Sequence, residues 1–195
     1  MVNFVYNTEE ITKKQVELNT QPIFEPYEID DIYSHTHEFN FSKSDSVEIA
    51  SRLIETAKKY RSYSCCANQV GLNLSVFVAG YDQEFVAFFN PRIIDYSLEE
   101  SLSKESDNIS FPGLVLNIYR SNKIIVEYQD YEGNLHQNTF EGLTARTIQQ
   151  CVDRLEGRGI DHKVSKLQLQ RANKALNKKI KTVVRYQMNQ LKVKK

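Results

Sequence analysis

The sequence predicts an α+β fold, with mixed or antiparallel sheets around a central helix and a basic amphipathic helix at the C-terminus. Three observations predict it. The strand-like runs between residues 74 and 140 precede the last two helical patterns instead of alternating with them, which argues against a wound parallel sheet. The run from about Leu143 to Glu156 is helical in period and lies after those strands, where it can pack across them. The last 31 residues combine a broad apolar stripe with an opposite face of Lys and Arg.

The elements follow in order. Residues 1–42 read as an extended polar arm, because the prolines of Gln21-Pro22-Ile23-Phe24-Glu25-Pro26 bias the residues before them away from helix. Ser44-Asp45 opens a helix with capping chemistry, and Val47, Ile49-Ala50, Leu53-Ile54 and Ala57 recur at helical spacing through Tyr60. Leu74–Ala79 and Phe85–Phe89 read as strands, with Asn90-Pro91 ending the second and Ile93–Ser97 forming another. The polar, acidic segment Ser97–Asp107 reads as a loop. Val115–Tyr119 and Lys123–Tyr128 are strands, and Asp130–Asn134 turns into a third, Leu135–Phe140. Gly157 and Gly159 are expected to end the Leu143–Glu156 helix as left-handed caps. A final helix begins near Ser165. The predicted organisation is thus an arm over 1–42, a domain over 43–164 and a helix over 165–195.

Composition limits the function classes. A chain of 195 residues with 41% hydrophobic residues suits one domain with appendages. No apolar run approaches the ~18–20 residues of a membrane span, and the N-terminus has no basic, apolar signal-peptide pattern. No membrane role and no signal-peptide secretion are expected. Three Cys, two of them adjacent, do not form a disulfide framework. Net charge is zero, yet all 25 acids lie at or before Asp161. Residues 1–161 carry −11 and residues 162–195 carry +11. An arm so basic is either a solvated face or a docking surface for a polyanion or an acidic protein, with Lys174, Lys178, Lys179, Lys181 and Arg185 as its candidate contacts.

Three segments carry a family resemblance. Ser64-Cys65-Cys66-Ala67-Asn68-Gln69-Val70-Gly71 resembles the Gly-Leu-Ala-Ala-x-Gln-Val-Gly segment of peptide deformylases. Ser106-Asp107-Asn108-Ile109-Ser110-Phe111-Pro112-Gly113 is similar to their Glu-Gly-Cys-Leu-Ser-x-Pro-Gly segment. Gln150–Gly157 lies on the helix where that family carries His-Glu-x-x-His. Between and around these, Phe89–Ile94, Arg120, Asp130-x-x-Gly133 and Gly142-Leu143-x-Ala145-Arg146 occur in the family's order, so the resemblance spans about Val47 to Arg171.

The resemblance implies a fold and a chemistry. In that family one Cys and two His hold a divalent metal that activates water, and a Glu handles the proton. Carried over residue by residue, Asn108 stands for the Cys, Gln150 and Arg154 for the two His, and Cys151 for the Glu, while Gln69 is kept. Amides are poor ligands for a transition metal and a guanidinium repels one. The expectation is a pocket without metal, cofactor or catalytic residues, in which Arg154 pairs with Asp107 or another acid. A solvated Arg154 is the alternative. Cys151 is either a packed small residue or an activated thiol, and Gln69 either a structural amide or a peptide contact. His35 and His37 form a surface pair.

The expected function is therefore an inactive member of the family serving as a structural or assembly component. Because deformylase-like genes occur in bacteriophages, and the chain is rich in Lys, Asn, Ile and Tyr, a phage tail or baseplate protein is the expected setting, in a virion or the host cytoplasm. Its partners would be protein subunits met through the N-terminal arm and the basic helix. The alternatives are a ribosome-associated binder of nascent chains, with rRNA as partner, and a residually active peptide deformylase.

Overall fold

The computed structural model describes residues 33–81, 84–107 and 109–193, the last eight of these as backbone. The elements are α1 (Ser46–Lys59), β1 (Ser64–Cys66), a 3-10 turn (Ala67–Val70), β2 (Val76–Tyr81), β3 (Glu84–Tyr96), β4 (Glu100–Asp107), β5 (Phe111–Ser121), β6 (Lys123–Gln129), β7 (Leu135–Glu141), α2 (Gly142–Leu155), a 3-10 turn (Ile160–Lys163) and α3 (Lys166–Val193). Residues 1–32, most of the expected arm, lie outside the described residues, as does Asn108.

Two antiparallel sheets form: a five-stranded one in the order β1-β2-β3-β6-β7, and the β4–β5 hairpin. The larger sheet is covered on both faces, which explains why β2 reads as a continuous apolar run. Side chains alternate between faces along a strand. Val76 and Val78 point with Phe85, Ala87 and Phe89 toward Leu53, Ile54 and Ala57 of α1. Phe77 and Ala79 point with Phe88, Ile124, Val126 and Tyr128 toward Ala145, Ile148, Cys151, Val152 and Leu155 of α2. Each fully buried aliphatic or aromatic side chain here contributes about 1.5–3 kcal/mol relative to exposure. A smaller cluster of Leu114, Leu116, Ile118 and Ile160 receives Leu169, Ala172 and Leu176, fastening the start of α3 to β5.

The expected α+β architecture and its central helix are present, and α2 packs on β2 and β6 as predicted. Several local expectations need correction. Asp45, not Ser44, caps α1, its carboxylate accepting from the Glu48 amide at 3.0 Å. Ser97–Asp107 is not a loop, since Glu100–Asp107 pairs with β5 along its whole length. Asn90-Pro91 does not end a strand. β3 runs through it by shifting register between Phe89 and Arg92, with Asn90 at φ 51°. Gly157 is left-handed at φ 73°, but Gly159, at φ −73°, is not.

Asn90 also ties down the described end of the N-terminal segment. Its side chain accepts from the Phe39 amide at 2.6 Å and donates to the Phe39 carbonyl at 3.0 Å. Phe39 thereby sits in the core beside Phe89. Thr36 donates from its backbone to the Leu155 carbonyl at 2.9 Å, so residues 33–41 lie against the body.

Candidate functional site

One cavity of about 150 Å3 opens between β1, β4 and α2. Its geometry follows from two outer strands and one helix face. Among the described residues β1 pairs as a strand only with β2 and β4 only with β5, and Ser64 and Cys66 of β1 and Ser103–Asp107 of β4 line the cavity. From α2, Arg146, Gln150 and Arg154 recur at four-residue spacing on one face. Inward positions of β4 alternate as Ser101, Ser103, Glu105 and Asp107.

Gln69, Gln150, Cys151 and Arg154 all line this cavity, together as expected. Gln69 is fully committed within the protein. Its carbonyl oxygen accepts from the Cys66 amide at 2.9 Å, and its amide nitrogen donates to Asp107 at 3.0 Å and to Ser110 Oγ at 2.8 Å. The structural reading of Gln69 therefore holds. Gln150 donates to the Ser106 carbonyl at 3.2 Å and stitches α2 to β4. Arg154, 2% exposed, forms an ion pair with Asp107 through Nη2 and stacks over the Phe111 ring. The alternative of a solvated Arg154 is excluded. Asp107 further accepts from the amides of Ile109 and Ser110 at 3.2 and 3.0 Å.

A second buried network braces the same wall. Arg120 grips Glu105 through two parallel hydrogen bonds of 2.8 and 2.9 Å and reaches Asp153 of α2 with its third nitrogen. Burial alone would lower the Arg120 pKa, but Glu105 and Asp153 outweigh it and push it up, so the charge is secure. Lys163 also reaches Asp153, at 2.8 Å.

The family implies a divalent metal, and the residues present do not fit one. Among the described residues no three His, Cys, Asp or Glu side chains converge as a ligand group. The one carboxylate beside the carried-over positions, Asp107, is neutralised by a guanidinium at hydrogen-bond range. Burial pushes the thiols of Cys65 and Cys66 well up, which keeps them protonated and weak as ligands or nucleophiles. Cys151 is 1% exposed and packs with Cys66 and Ile148, in keeping with a packed residue rather than an activated thiol.

Sequence reasoning missed Ser103 and Arg146, which line the cavity. The period-two Ser101-Ser103-Glu105-Asp107 was the available signal for the first, and the four-residue step back from Gln150 for the second. The candidate partner residues Lys174, Lys178, Lys181 and Arg185 share one exposed face of α3, away from the cavity, and Lys179 lies off that face.

A helix, an antiparallel sheet and a second helix stack in three layers, an α+β arrangement on which solved peptide deformylases superpose. The chain belongs to the peptide deformylase family: the family model for polypeptide deformylase matches residues 26–170. A peptide deformylase of Dictyoglomus thermophilum is 36% identical over 110 residues, 56% of this chain and 71% of that one. A protein of Rickettsia conorii named peptide deformylase-like is 29% identical over 160 residues, 80% of this chain and 87% of its own. The crystal structure of peptide deformylase from Thermotoga maritima superposes with a TM-score of 0.68 at 28% identity, covering 74% of this chain and 99% of that one. The match beginning at residue 26 takes in part of the segment read as an arm.

These matches correct the functional expectation. A non-enzymatic tail or baseplate component, and with it the virion setting, was inferred from three substituted ligand positions and from association. The relatives that share this chain's order and fold are named for an enzyme, peptide deformylase. Among the described residues no helix is long and apolar enough to cross a membrane.

Proposed function

We propose that this chain is a slow peptide deformylase, which removes the formyl group from the N-terminus of a peptide in the cavity between β1, β4 and α2. The observation that carries this reading is the cavity itself, lined by the outer strands β1 and β4 and by α2 in a chain that matches the family model over residues 26–170. An extended peptide can lie along these strands with alternate side chains in the cavity. Hydrolysis needs water to attack the formyl carbon, a positive group near the oxygen where charge develops, and a proton for the departing amine. Arg154 supplies the positive group, and Asp107 and Phe111 hold it in place. No step is assigned to a metal, because the donor set does not fit one, and the turnover is slow for that reason.

The test is formate and free-amine release from a formyl-Met-Ala-Ser peptide by purified protein. Release above the spontaneous rate is expected, and it should disappear when Thr147, which lines the cavity from α2, is replaced by the bulkier Trp (Thr147→Trp). Release equal to the protein-free control, with and without added iron, zinc or nickel, would sink the reading. Equal release by the Thr147→Trp variant would mark contamination by another deformylase.

A second observation concerns where the protein works. Beyond Leu176, α3 leaves the body with Lys178, Lys181 and Arg185 exposed and no acid after Asp161 to neutralise them. We propose that this basic helix face docks on a polyanion, with ribosomal RNA near emerging nascent chains as the favoured partner.

A further inference from the structure

The apolar stripe of α3 outruns the surface that it packs on. Leu169, Ala172 and Leu176 meet Leu114, Leu116 and Ile118 of β5. Ile180, Val183 and Val184 continue the stripe beyond them, each about half exposed. By helical geometry these three lie within about 80° of Leu176 around the axis, with Lys179 at the border of the stripe. Lys174, Lys178, Lys181 and Arg185 point the opposite way. Apolar side chains at this spacing form the face by which a helix packs, and here that face has no partner among the described residues.

Charge separates the possible occupants. From Lys166 to Arg185, α3 carries seven Lys or Arg and no acid. A second copy of the helix would bring seven more cations to the seam, and like charges oppose that pairing. Residues 20–32 of this chain are the reverse. They hold Glu25, Glu28, Asp30 and Asp31 with no Lys, Arg or His, among the apolar Ile23, Phe24, Ile29 and Ile32.

The described residues begin beside the inner end of the stripe. Tyr33 donates to Asp161 at 2.9 Å and stacks on His162, in the 3-10 turn that leads into α3. The rings of Tyr33 and Phe111 both close on Gly159, 3.2 and 3.4 Å from where a side-chain carbon would stand. Phe111 packs in the cluster that receives Leu169 and Leu176. Val184 lies 18 residues along α3 from Lys166, about 27 Å of helical rise. The nine residue steps from Tyr33 back to Phe24 span about 30 Å when extended. Pro22 and Pro26 bias the residues before them toward that extended backbone.

We propose that residues 20–32 lie along the outer half of the stripe as a splint, with Ile23 and Phe24 on Ile180, Val183 and Val184 and the acids beside Lys179. The splint holds α3 to the body and leaves its basic face open. It does not depend on the deformylase reading.

The test is paramagnetic NMR on the full chain, with a nitroxide attached at Lys179→Cys. The native thiols are buried, so the added one takes the label. Amide signals of residues 20–32 should be lost, and should return when the nitroxide is reduced. Val183→Asp and Phe24→Asp should each restore them, because either would bury a carboxylate against apolar groups. Lys181→Asp, on the opposite face, should not. Hydrogen exchange of the amides of residues 178–184 should quicken at least about tenfold in Phe24→Asp, as local opening of an uncovered helix allows. Far-ultraviolet circular dichroism should show that each variant keeps its helices. Full signals from residues 20–32 in the labelled protein would overturn the splint. Restoration by Lys181→Asp as complete as by Val183→Asp would overturn the apolar seat in favour of diffuse charge attraction. Signal loss with the label on one copy and the isotope on another would assign the contact to a second molecule and overturn the proposal.

Discussion

Arg154 of α2 and Asp107 of β4 form an ion pair at 2% and 5% side-chain exposure, inside the wall of the cavity. The pair joins the helix to the smaller sheet. Breaking it from one side leaves a buried charge without its partner. Arg154→Met is expected to destabilise the fold by about 3–5 kcal/mol. Adding Asp107→Asn should recover a large part of that loss, because the amide still accepts from Ile109 and Ser110. Urea unfolding of the two single variants and the double variant measures this. Additive losses would show that the two side chains are not energetically coupled.

The donor set can be changed toward the one that the family resemblance implies. The variant Asn108→Cys, Gln150→His, Cys151→Glu and Arg154→His is expected to bind about one equivalent of zinc or nickel, since ligand type and spacing set affinity. It should raise turnover of a formyl-Met peptide by at least about a hundredfold, as metal activation of water would. Elemental analysis and formate release read the two effects separately. Metal uptake by the unaltered protein equal to that of the variant would contradict the donor-set argument.

The turn after β6 makes stability sensitive to acid. Burial alone would raise the Asp130 pKa. Hydrogen bonds from His136 at 2.7 Å, from the Asn134 side chain, and from the Asn134 and Glu132 amides outweigh it, so the pKa is lowered. A lowered folded-state pKa means the contribution is complete above the unfolded value of about 3.9 and is lost as pH falls through the folded one. The stability difference between wild type and Asp130→Asn should shrink as pH falls from about 5 to about 2. Denaturant midpoints across that range test it. A gap that widened on acidification would have the wrong sign.

The basic face of α3 makes a salt-dependent prediction. Replacing Lys174, Lys178, Lys181 and Arg185 with Ala should weaken co-sedimentation with ribosomes. The slope of log affinity against log salt should fall by nearly one for each phosphate contact removed. Deformylase activity on a free peptide should be unchanged, since none of these residues lines the cavity. Unchanged ribosome binding at low and high salt would dismiss the docking role.

The parts of the fold that bury apolar side chains were legible in the sequence. α2 showed itself by its helical period, and β2 by a run that is apolar on both faces. β4 was not legible, because Ser101, Ser103, Glu105 and Asp107 face inward and are polar. They meet arginines and hydroxyls instead of a hydrocarbon core, so no apolar alternation marks the strand. β3 was read as two strands because Pro91 lacks an amide hydrogen. The register shift there absorbs the loss, with Asn90 in a left-handed conformation. The Arg154–Asp107 pair was legible by cost, since a guanidinium on the inner face of a buried helix needs an acid. The places of Arg146 and Ser103 in the cavity wall were not, because they depend on how β4 lies along α2. The functional expectation failed for another reason. Substituted ligand positions argue about a donor set, and they do not by themselves place a protein in a virion.

The attachment of α3 has a mechanical side. Its apolar anchors, Leu169, Ala172 and Leu176, grip Leu114, Leu116 and Ile118 of the β4–β5 hairpin and not the five-stranded sheet. The same hairpin holds α2 from its inner face through Arg120, Asp107 and the Ser106 carbonyl. Tension applied to the far end of α3 therefore passes first into a two-stranded lever, and the groups that would strain under it are the polar rivets lining the cavity.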